Sequence, residues 1–466
     1  MAVAMLLPAL VDLHWSSRDW MVFIQSSLTT FIIASLVLAA TRDATSHFSA
    51  RLGFLLTNSL WLTACLLGAL PLYFSHLPIS FAQAIFESVS GVTSTGATML
   101  VGLDKMPRGI LLWRSLLCWI GGIGFIALAL LLLPSLRVSG IKLFHMESSD
   151  KSEKVLPRIN QISNAIIIAY AGLTLVCTLC YFAAGMSLFD AVNHAMTTVA
   201  TAGFSTHDAS FGFFESKPVI LLIATVFMVL AALPFVVYIK AVLIRQHRRF
   251  FDPQAKLFIV LVAGFSFVLA VWLHFSKDIP FQQSLLNSAF HFISVITTTG
   301  YATEDYSLWG SFAFGIFFLA SFSGGCAGST SGGIKINRLI ILWRIMLAKL
   351  TSLLSPNTVV KIRYGGSELS GDIVQTVLLF LCLYMASMVI GTTLLIMVGL
   401  DFISAFTGAL TTLSNVGPGF GANIGPVGNF STVNDTALWI LSFLMLAGRL
   451  EIVTVFIFFT PAFWRR

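Results

Sequence analysis

Val92-Thr-Ser-Thr-Gly-Ala-Thr98 decides how this chain is read, because relatives of it recur. They stand at Ala200-Thr-Ala-Gly-Phe-Ser205, Thr297-Thr-Thr-Gly-Tyr-Ala-Thr303 and Leu413-Ser-Asn-Val-Gly-Pro-Gly419. Aligned on Gly96, Gly203, Gly300 and Gly417, the copies are 107, 97 and 117 residues apart. Each glycine follows a short apolar segment and precedes a polar loop and a long hydrophobic run. The unit is long helix, short helix, Thr/Gly loop, long helix, and a repeat at that period marks the architecture before any single residue does.

Working outward, a pre-domain fills residues 1–50, with a short apolar piece near 3–13 and a helix near 20–41. Repeat 1 (51–140) has a helix near 52–75, a short helix near 80–92 and a helix near 109–136. Repeat 2 (141–250) runs 160–184, 187–199 and 217–244. Repeat 3 (251–362) runs 255–275, 281–296 and 309–349, the last of these broken. Repeat 4 (363–466) runs 373–399, 402–412 and 436–464. The N-terminus lacks a basic n-region and a small-residue cleavage site, so it does not read as a signal peptide. It reads as the end of a first helix, shortened at its start.

Of the 466 residues, 57% are hydrophobic and 10% charged, against about 25% charged in a soluble domain. Apolar runs of about 20 residues recur along the chain, which is the transmembrane signature. The expected fold is an all-α polytopic membrane protein with no soluble domain. The net charge of +7 is spread over loops and is not a nucleic-acid footprint. Cys177 and Cys180 form a C-x-x-C inside an apolar helix, which reads as packing rather than redox or metal chemistry.

The short helices set the topology. Twelve residues at about 1.5 Å each cover roughly 18 Å of a core of about 30 Å, so each short helix is re-entrant. Non-helical backbone at membrane depth is tolerated only inside protein or beside water. Four half-crossings therefore meet around a wet axis. Arg42, Arg51, Arg137, Lys142, Lys151, Lys154, Arg158, Lys240, Arg245, Arg248, Arg249, Lys256, Lys349, Lys361, Arg363, Arg465 and Arg466 fall on one side. Arg18, Lys105, Arg108, Lys217 and Lys277 fall on the other. The positive-inside rule places the first group in the cytoplasm and the Thr/Gly loops outside.

A bare alkali cation must replace its hydration shell with oxygens, and four converging backbone segments supply carbonyls for that. Glycine allows positive φ and close approach. The C-terminal ends of the short helices are partially negative and favour a cation. The candidate filter is Ser94, Thr95 and Gly96; Thr201, Ala202 and Gly203; Thr298, Thr299 and Gly300; and Asn415, Val416 and Gly417. Glu87, Asp190, His194 and His291 lie on the short helices and read as hydrogen-bonding supports of the loops, with a proton relay as the sharper alternative.

Phe86-Glu-Ser-Val-Ser-Gly-Val-Thr-Ser-Thr-Gly-Ala-Thr98, Gly203-Phe-Ser-Thr-His-Asp-Ala-Ser210, Gly324-Gly-Cys-Ala-Gly-Ser-Thr-Ser-Gly-Gly-Ile-Lys335 and Gly448-Arg-Leu-Glu451 resemble the TrkH-type potassium-translocating subunits of the Trk/Ktr/HKT superfamily. The likeness runs from about residue 10 to the end. It implies four linked copies of a two-helix potassium-channel unit, potassium held by the filter carbonyls, and no organic cofactor in this chain. It further implies a homodimer in the bacterial inner membrane, each protomer with its own pore. The partner implied is a cytosolic nucleotide-binding regulatory ring, RCK-type and TrkA-like. In the plant branch serine at the first filter position accompanies sodium preference, so Gly96 argues for potassium. Ala202 and the Asn415-Val-Gly-Pro-Gly419 loop depart from the Thr pattern, so the fourfold symmetry is approximate and one good ion site is expected rather than many.

Ser323-Gly-Gly-Cys-Ala-Gly-Ser-Thr-Ser-Gly-Gly333 interrupts the run 309–349. So many glycines and hydroxyls do not hold a lipid-facing helix, and the segment is expected inside the protein below the filter as a gating loop. Gly324, Gly325, Gly328, Gly332 and Gly333 are its soft points, although Gly324 and Gly328 also fit a helix-packing Gly-x-x-x-Gly. Arg449 lies deep in the last apolar run, where an arginine costs about 2.5–3.5 kcal/mol unless it faces protein or water. The resemblance places it lining the pore. A pair with Glu451 is the structural alternative, weakened because i and i+2 do not face each other on a helix. The runner-up function is a potassium symporter coupled to protons or sodium; broken helices suit it, but four repeats of one orientation favour a pore. No H-E-x-x-H or G-x-S-x-G is present, and the chain does not read as an enzyme.

Overall fold

The computed structural model describes residues 1–42, 49–127, 159–238, 252–358, 360–365, 367–421 and 423–465. The described elements are helical apart from one two-stranded hairpin, Arg363–Tyr364 (β1) with Ser367–Glu368 (β2). The N-terminal helices are α1 (Ala2–His14) and α2 (Trp20–Ala40). Next come α3 (Ala50–Phe74), the short α4 (Phe81–Val92) and α5 (Arg108–Ala127). The second group is α6 (Ile159–Ala183), the short α7 (Leu188–Val199) and α8 (Pro218–Ala232). The third is α9 (Pro253–Lys277), the short α10 (Phe281–Ile296), α11 (Ser311–Phe322) and α12 (Ile336–Leu354). The fourth is α13 (Gly371–Met397), the short α14 (Phe402–Leu413), α15 (Asp435–Arg449), α16 (Ile452–Phe456) and α17 (Pro461–Trp464).

Six described helices are long and apolar enough to cross a membrane. The burial of these helices separates two classes. Only 28–39% of the spanning windows of α2, α3, α6, α9 and α13 are buried, against 78% for α5. The first class turns apolar side chains outward, as a lipid-facing helix must when no water drives it inward, while α5 runs through the interior. Each short helix packs on the long helix before it. Three start on a side-chain cap that accepts a backbone N–H: Ser80 for α4, Ser187 for α7 and Asp401 for α14. The capping box of Ser80 with Gln83 satisfies two orphan donors reciprocally. These caps fix where each half-crossing begins, and therefore where it ends.

Among the described residues the apolar core has two large bodies, one joining mainly α1–α5 to α13–α17 and the other mainly α6–α12, and a smaller one in which Ile341 of α12 packs with Tyr364, Leu369, Ile373 and Val377. Cys118, Ala200, Ala202 and Phe204 make a small buried cluster of their own at the level of the second Thr/Gly loop.

The structure differs from the sequence reading at two helices. The run 436–464 is not one helix. It stops at Arg449, and the continuation Ile452–Phe459 turns away by 113°. Glu451 holds φ +63° at the corner, a left-handed conformation that a non-glycine residue takes only when its surroundings impose it. Here the carboxylate is held by Arg338 of α12. In the run 217–244, helix α8 ends at Ala232 before Pro234, because proline disfavours helix in the residue ahead of it and lacks an N–H. Arg137, Lys142, Lys151, Lys154, Arg158, Lys240, Arg245, Arg248, Arg249 and Arg466, together with the far end of the run 109–136, lie outside the described residues.

Candidate functional site

The four Thr/Gly loops share one backbone geometry. Two residues before each glycine the chain turns left-handed, at Ser94 (φ +53°), Thr201 (+49°), Thr298 (+59°) and Asn415 (+56°). The glycines follow at +81°, +75°, +83° and +98° for Gly96, Gly203, Gly300 and Gly417. The residue between them donates its N–H back to the short helix in every copy. Thr95 reaches the Ser90 carbonyl (2.8 Å), Ala202 that of Thr197 (2.9 Å), Thr299 that of Ser294 (2.8 Å) and Val416 that of Thr411 (2.8 Å). A left-handed non-glycine costs about 1–2 kcal/mol. Four such residues at the same register mean that the surrounding packing imposes the turn, and alternating φ signs allow successive carbonyls to leave one side of the strand.

The loops close into a ring. A side chain at Gly96 would overlap the Ala202 carbonyl oxygen, and one at Gly203 that of Thr299. Likewise Gly300 abuts the Val416 carbonyl and Gly417 the Thr95 carbonyl. The order is first to second, second to third, third to fourth, fourth to first. Only glycine permits both the positive φ and this approach. All twelve filter candidates are buried except Gly96, Gly203 and Gly300, which are partly open. On the far side of the glycines lies an open hollow lined among others by Thr98, Ser205, Pro418 and Ile424.

Side chains on the short helices hold the outer ends of the loops. Nine residues before the glycine stand Glu87, His194 and His291. Glu87 accepts from the Met99 amide (3.0 Å) and the Thr98 hydroxyl (2.9 Å). His194 Nε2 meets Ser205 Oγ (3.0 Å), and His291 Nε2 accepts from the Thr303 amide (3.2 Å). In the fourth copy that position is Gly408, and its neighbour Thr407 accepts from the Phe420 amide instead (3.1 Å). Asp190 accepts from the Thr206 hydroxyl (2.8 Å). Sequence reasoning placed Glu87, Asp190, His194 and His291 in this role and missed Thr407, which the register to the glycine could have found.

Ties also run between copies. Arg114, fully buried on α5, pairs with Glu87 at 2.7 Å and donates to the Ser205 carbonyl at 3.1 Å. Tyr301 Oη shares a hydrogen bond of 2.6 Å with Thr197. Above the second loop His207 sits between Asp104 (2.5 Å) and Asp190 (3.6 Å) and stacks on Phe213. Burial alone pushes the His207 imidazole down, but the hydrogen bonds and charges of Asp190 and Asp104 outweigh it and the net direction is up.

Between α11 and α12 helical bonding stops at Phe322 and resumes at Ile336. The break is ordered by bonds to other elements. The Cys326 amide donates to the Ala232 carbonyl (2.9 Å) and the Ala327 amide to Gln254 Oε1 (2.9 Å). The Phe235 amide donates to the Gly328 carbonyl (2.9 Å), and the Ile334 amide to that of Phe322 (3.0 Å). Its far side lies under the ring. The Gly332 amide donates to Thr298 Oγ1 (2.7 Å), Thr330 shares a hydrogen bond with Thr201 (3.3 Å), and a side chain at Gly332 would meet the Ser414 carbonyl. Arg449, 1% exposed, donates to the Thr330 carbonyl (2.7 Å) and Ser94 Oγ (3.2 Å) and lies 4.3 Å over the Phe125 ring. It does not pair with Glu451, whose carboxylate belongs to Arg338. Lys335, which the sequence reading passed over, is buried, donates to the Ser331 carbonyl and lies 5.1 Å from the Phe125 centroid. Gly324, Gly325, Gly328, Gly332, Gly333 and Arg449 thus meet in one body beneath the loops.

A model of the TrkH family, described as cation transport protein, matches residues 20–466. The chain belongs to the TrkH family. Its TrkH-family relatives include the Trk system potassium uptake protein TrkI of Halomonas elongata, 40% identical over 100% of this chain and 94% of that protein. The Trk system potassium uptake protein TrkH of Escherichia coli K12 is 36% identical over 99% of this chain and 96% of its own length. The crystal structure of the potassium transporter TrkH from Vibrio parahaemolyticus superposes with a TM-score of 0.91 at 35% identity, covering 100% of this chain and 96% of that one. A TrkH-family chain with these apolar helices is a multi-pass membrane transport protein and not an enzyme.

Proposed function

We propose that the chain takes up potassium across the bacterial inner membrane through the ring of Gly96, Gly203, Gly300 and Gly417. The carrying observation is the cyclic seam, in which each glycine abuts the carbonyl oxygen of the next loop. Potassium sheds water into that ring and is held by backbone carbonyls of Ser94 to Gly96, Thr201 to Gly203, Thr298 to Gly300 and Asn415 to Gly417. The helix C-termini that lead into each turn add partial negative charge. Arg42, Arg51, Lys256, Lys349, Lys361, Arg363 and Arg465 then face the cytoplasm and the loops face outside; the Arg51 hydrogen bond to the Arg465 carbonyl brings two of these together. His194 and His291 are spent on loop hydrogen bonds, which favours a pore over proton-coupled symport.

The segment 324–333 with Arg449 is the gate in this reading. It lies against the inner face of the ring, and a cytosolic nucleotide-binding partner acting on α12 would move it. Homodimerisation and division into a pre-domain and four repeats complete the proposal; the names of the Trk system relatives support potassium as cargo. The test is Gly96→Ser. Its added side chain collides with the Ala202 carbonyl and must adopt φ +81°, so the ring widens or tilts and potassium preference over sodium falls. Unchanged relative permeability in an inserted, folded variant refutes the filter.

A further inference from the structure

The outer ends of the first and second loops are stitched to each other. After Gly96 the chain passes through a tight helical turn, Leu103–Lys105, and after Gly203 through another, Ser210–Phe214. Three bonds cross between these excursions. His207 Nδ1 donates to Asp104 Oδ1 (2.5 Å), the Asp208 amide to Asp104 Oδ2 (3.3 Å), and the Gly102 amide to Asp208 Oδ1 (2.9 Å). The His207 ring lies flat on Phe213, with centroids 3.6 Å apart. Its other nitrogen, Nε2, makes no hydrogen bond among the described residues and stands 3.6 Å from Asp190 Oδ1. The stitch reaches the ring through Ser205. Ser205 Oγ accepts from the His207 amide (3.1 Å) and meets His194 Nε2 (3.0 Å), while its carbonyl accepts from Arg114. Arg114 in turn holds Glu87, behind the first loop. Two residues before Ser205 stands Gly203, and the Ala202 carbonyl just ahead of it is the one that abuts Gly96. Among the described residues, this is the one pair of neighbouring copies whose outer loops are joined by charged side chains.

Resting on the filter reading, we propose that His207 is a positioning residue for the seam between the first and second loops, through which protons in the outer solution set how strongly the ring prefers potassium to sodium. Histidine is the side chain that changes charge near neutral pH. Asp104 and Asp190 flank its two nitrogens, the Asp208 carboxylate is bound to the Gly102 amide, and the His194 ring lies nearly parallel at 6.4 Å. Arg114 is one carbonyl removed, at Ser205, and the exposed Lys105 follows Asp104 in the chain. Glu215, beyond the second turn, interacts with Glu304 of the third copy instead. The nearest charges are thus two carboxylates, which outweigh burial and raise the imidazole pKa. Charged, His207 carries a proton on each nitrogen and attracts both carboxylates. Neutral, it carries one. The bare nitrogen then turns a lone pair toward a carboxylate, two negative groups face each other across an uncharged ring, and one side lets go. Ser205 loses its fixed place, and the Ala202 carbonyl its fixed distance from Gly96. Loosened carbonyls close on the smaller sodium ion as readily as on potassium. Potassium preference is therefore full while the outer pH lies below the ordinary histidine value of about 6.5, and is lost as pH climbs through the higher folded value.

Reversal potentials in outside-out membrane patches from potassium-transport-deficient cells expressing the full chain read this directly. Potassium bathes the inner face and sodium the outer, so the potential gives the permeability ratio however many copies are inserted. The inner solution stays at about pH 7 while the outer one is stepped from about 5.5 to about 9, across the histidine range. Over that range the wild-type preference for potassium should fall about fivefold, the lower end of ordinary coupling between sites. His207→Gln, which cannot charge, should show the wild-type alkaline ratio at every outer pH. Asp104→Asn keeps the shape and removes one flanking carboxylate, so it should move the midpoint of the profile to lower pH. A lowered ratio with an unmoved midpoint in Asp104→Asn makes the contact structural only and overturns the proposal. So does a wild-type ratio that ignores outer pH, or one that still follows outer pH in His207→Gln. In each of these cases the filter stands if Gly96→Ser still loses selectivity. Unchanged selectivity in Gly96→Ser refutes the filter and the role of His207 with it.

Discussion

Arg449→Ala gives the sharpest test of the gate. A cation at the level of Ser94, at a typical alkali–oxygen distance of about 2.8 Å from that residue, sits about 6 Å from the guanidinium, which lies 3.2 Å from Ser94 Oγ. At an effective dielectric near 20, two unit charges at that range repel by about 3 kcal/mol, which slows passage about a hundredfold. The substitution also removes two charge-assisted hydrogen bonds, to the Thr330 carbonyl and Ser94 Oγ. Each is worth about 1.5–3 kcal/mol to the closed arrangement. Both effects point the same way, so potassium flux without any cytosolic partner should rise by one to two orders of magnitude. The assay is flux into proteoliposomes under an imposed potassium gradient, normalised to inserted protein. Arg449→Lys separates the contributions: it keeps the charge but not the two-point contact, and should lie between wild type and Arg449→Ala. Wild-type or lower flux in Arg449→Ala, with normal insertion, refutes the gating role. Equal flux in the alanine and lysine variants would show that charge repulsion is not the barrier.

Three further outcomes follow from the same geometry. Glu87→Gln breaks the buried pair with Arg114, which should destabilise the protein by about 3–5 kcal/mol, seen as a lower melting temperature and weakened potassium preference. The His207 clamp has a defined pH window. The His207 pKa is raised, so its contribution is full below the ordinary histidine range and is lost as pH climbs through the folded value. That of Asp104 is lowered, with burial opposing and the His207 hydrogen bond prevailing, so its contribution disappears as pH falls through the folded carboxylate value. Thermal stability should therefore show a maximum between these limits, and His207→Gln should flatten its alkaline side. Finally, in a background with the exposed Cys382 replaced by serine, cysteines at Lys105, Lys217 or Asp305 should label from outside the cell; protection until the membrane is opened would invert the orientation.

Much of this was legible in the chain because the information is local. A short helix ends where its apolar run ends, a left-handed turn asks for glycine, and a Gly/Ser stretch does not stay helical against lipid. The polar residues nine places before the glycines also carried their meaning in spacing alone. What stayed hidden depends on distant partners. Gly448 stands three residues before Glu451, but the left-handed residue at the 113° corner is Glu451 itself, and the carboxylate there is held by Arg338, more than a hundred residues earlier. Lys335 looked like the end of a motif, and its burial beside Phe125 comes from three elements meeting. Pro234, by contrast, was a local signal, and reading 217–244 as one helix ignored it.

The cyclic seam has a consequence for how the molecule is made. A ring has no first member in space, but a polypeptide leaves the ribosome from one end. The Thr95 carbonyl finds its glycine in residue 417, and the Thr98 carbonyl receives the amide of Phe430 at 2.8 Å. The opening segments thus enter the bilayer with bond-forming groups whose partners have yet to be synthesised, and they must wait, shielded, for more than three hundred residues of translation. A message cut short before the last quarter yields an inserted but unsealed product, with raw backbone turned toward the place where the ion would travel. Quality control during biogenesis can recognise that polar gap within the membrane, and the final segment acts as the keystone that hides it.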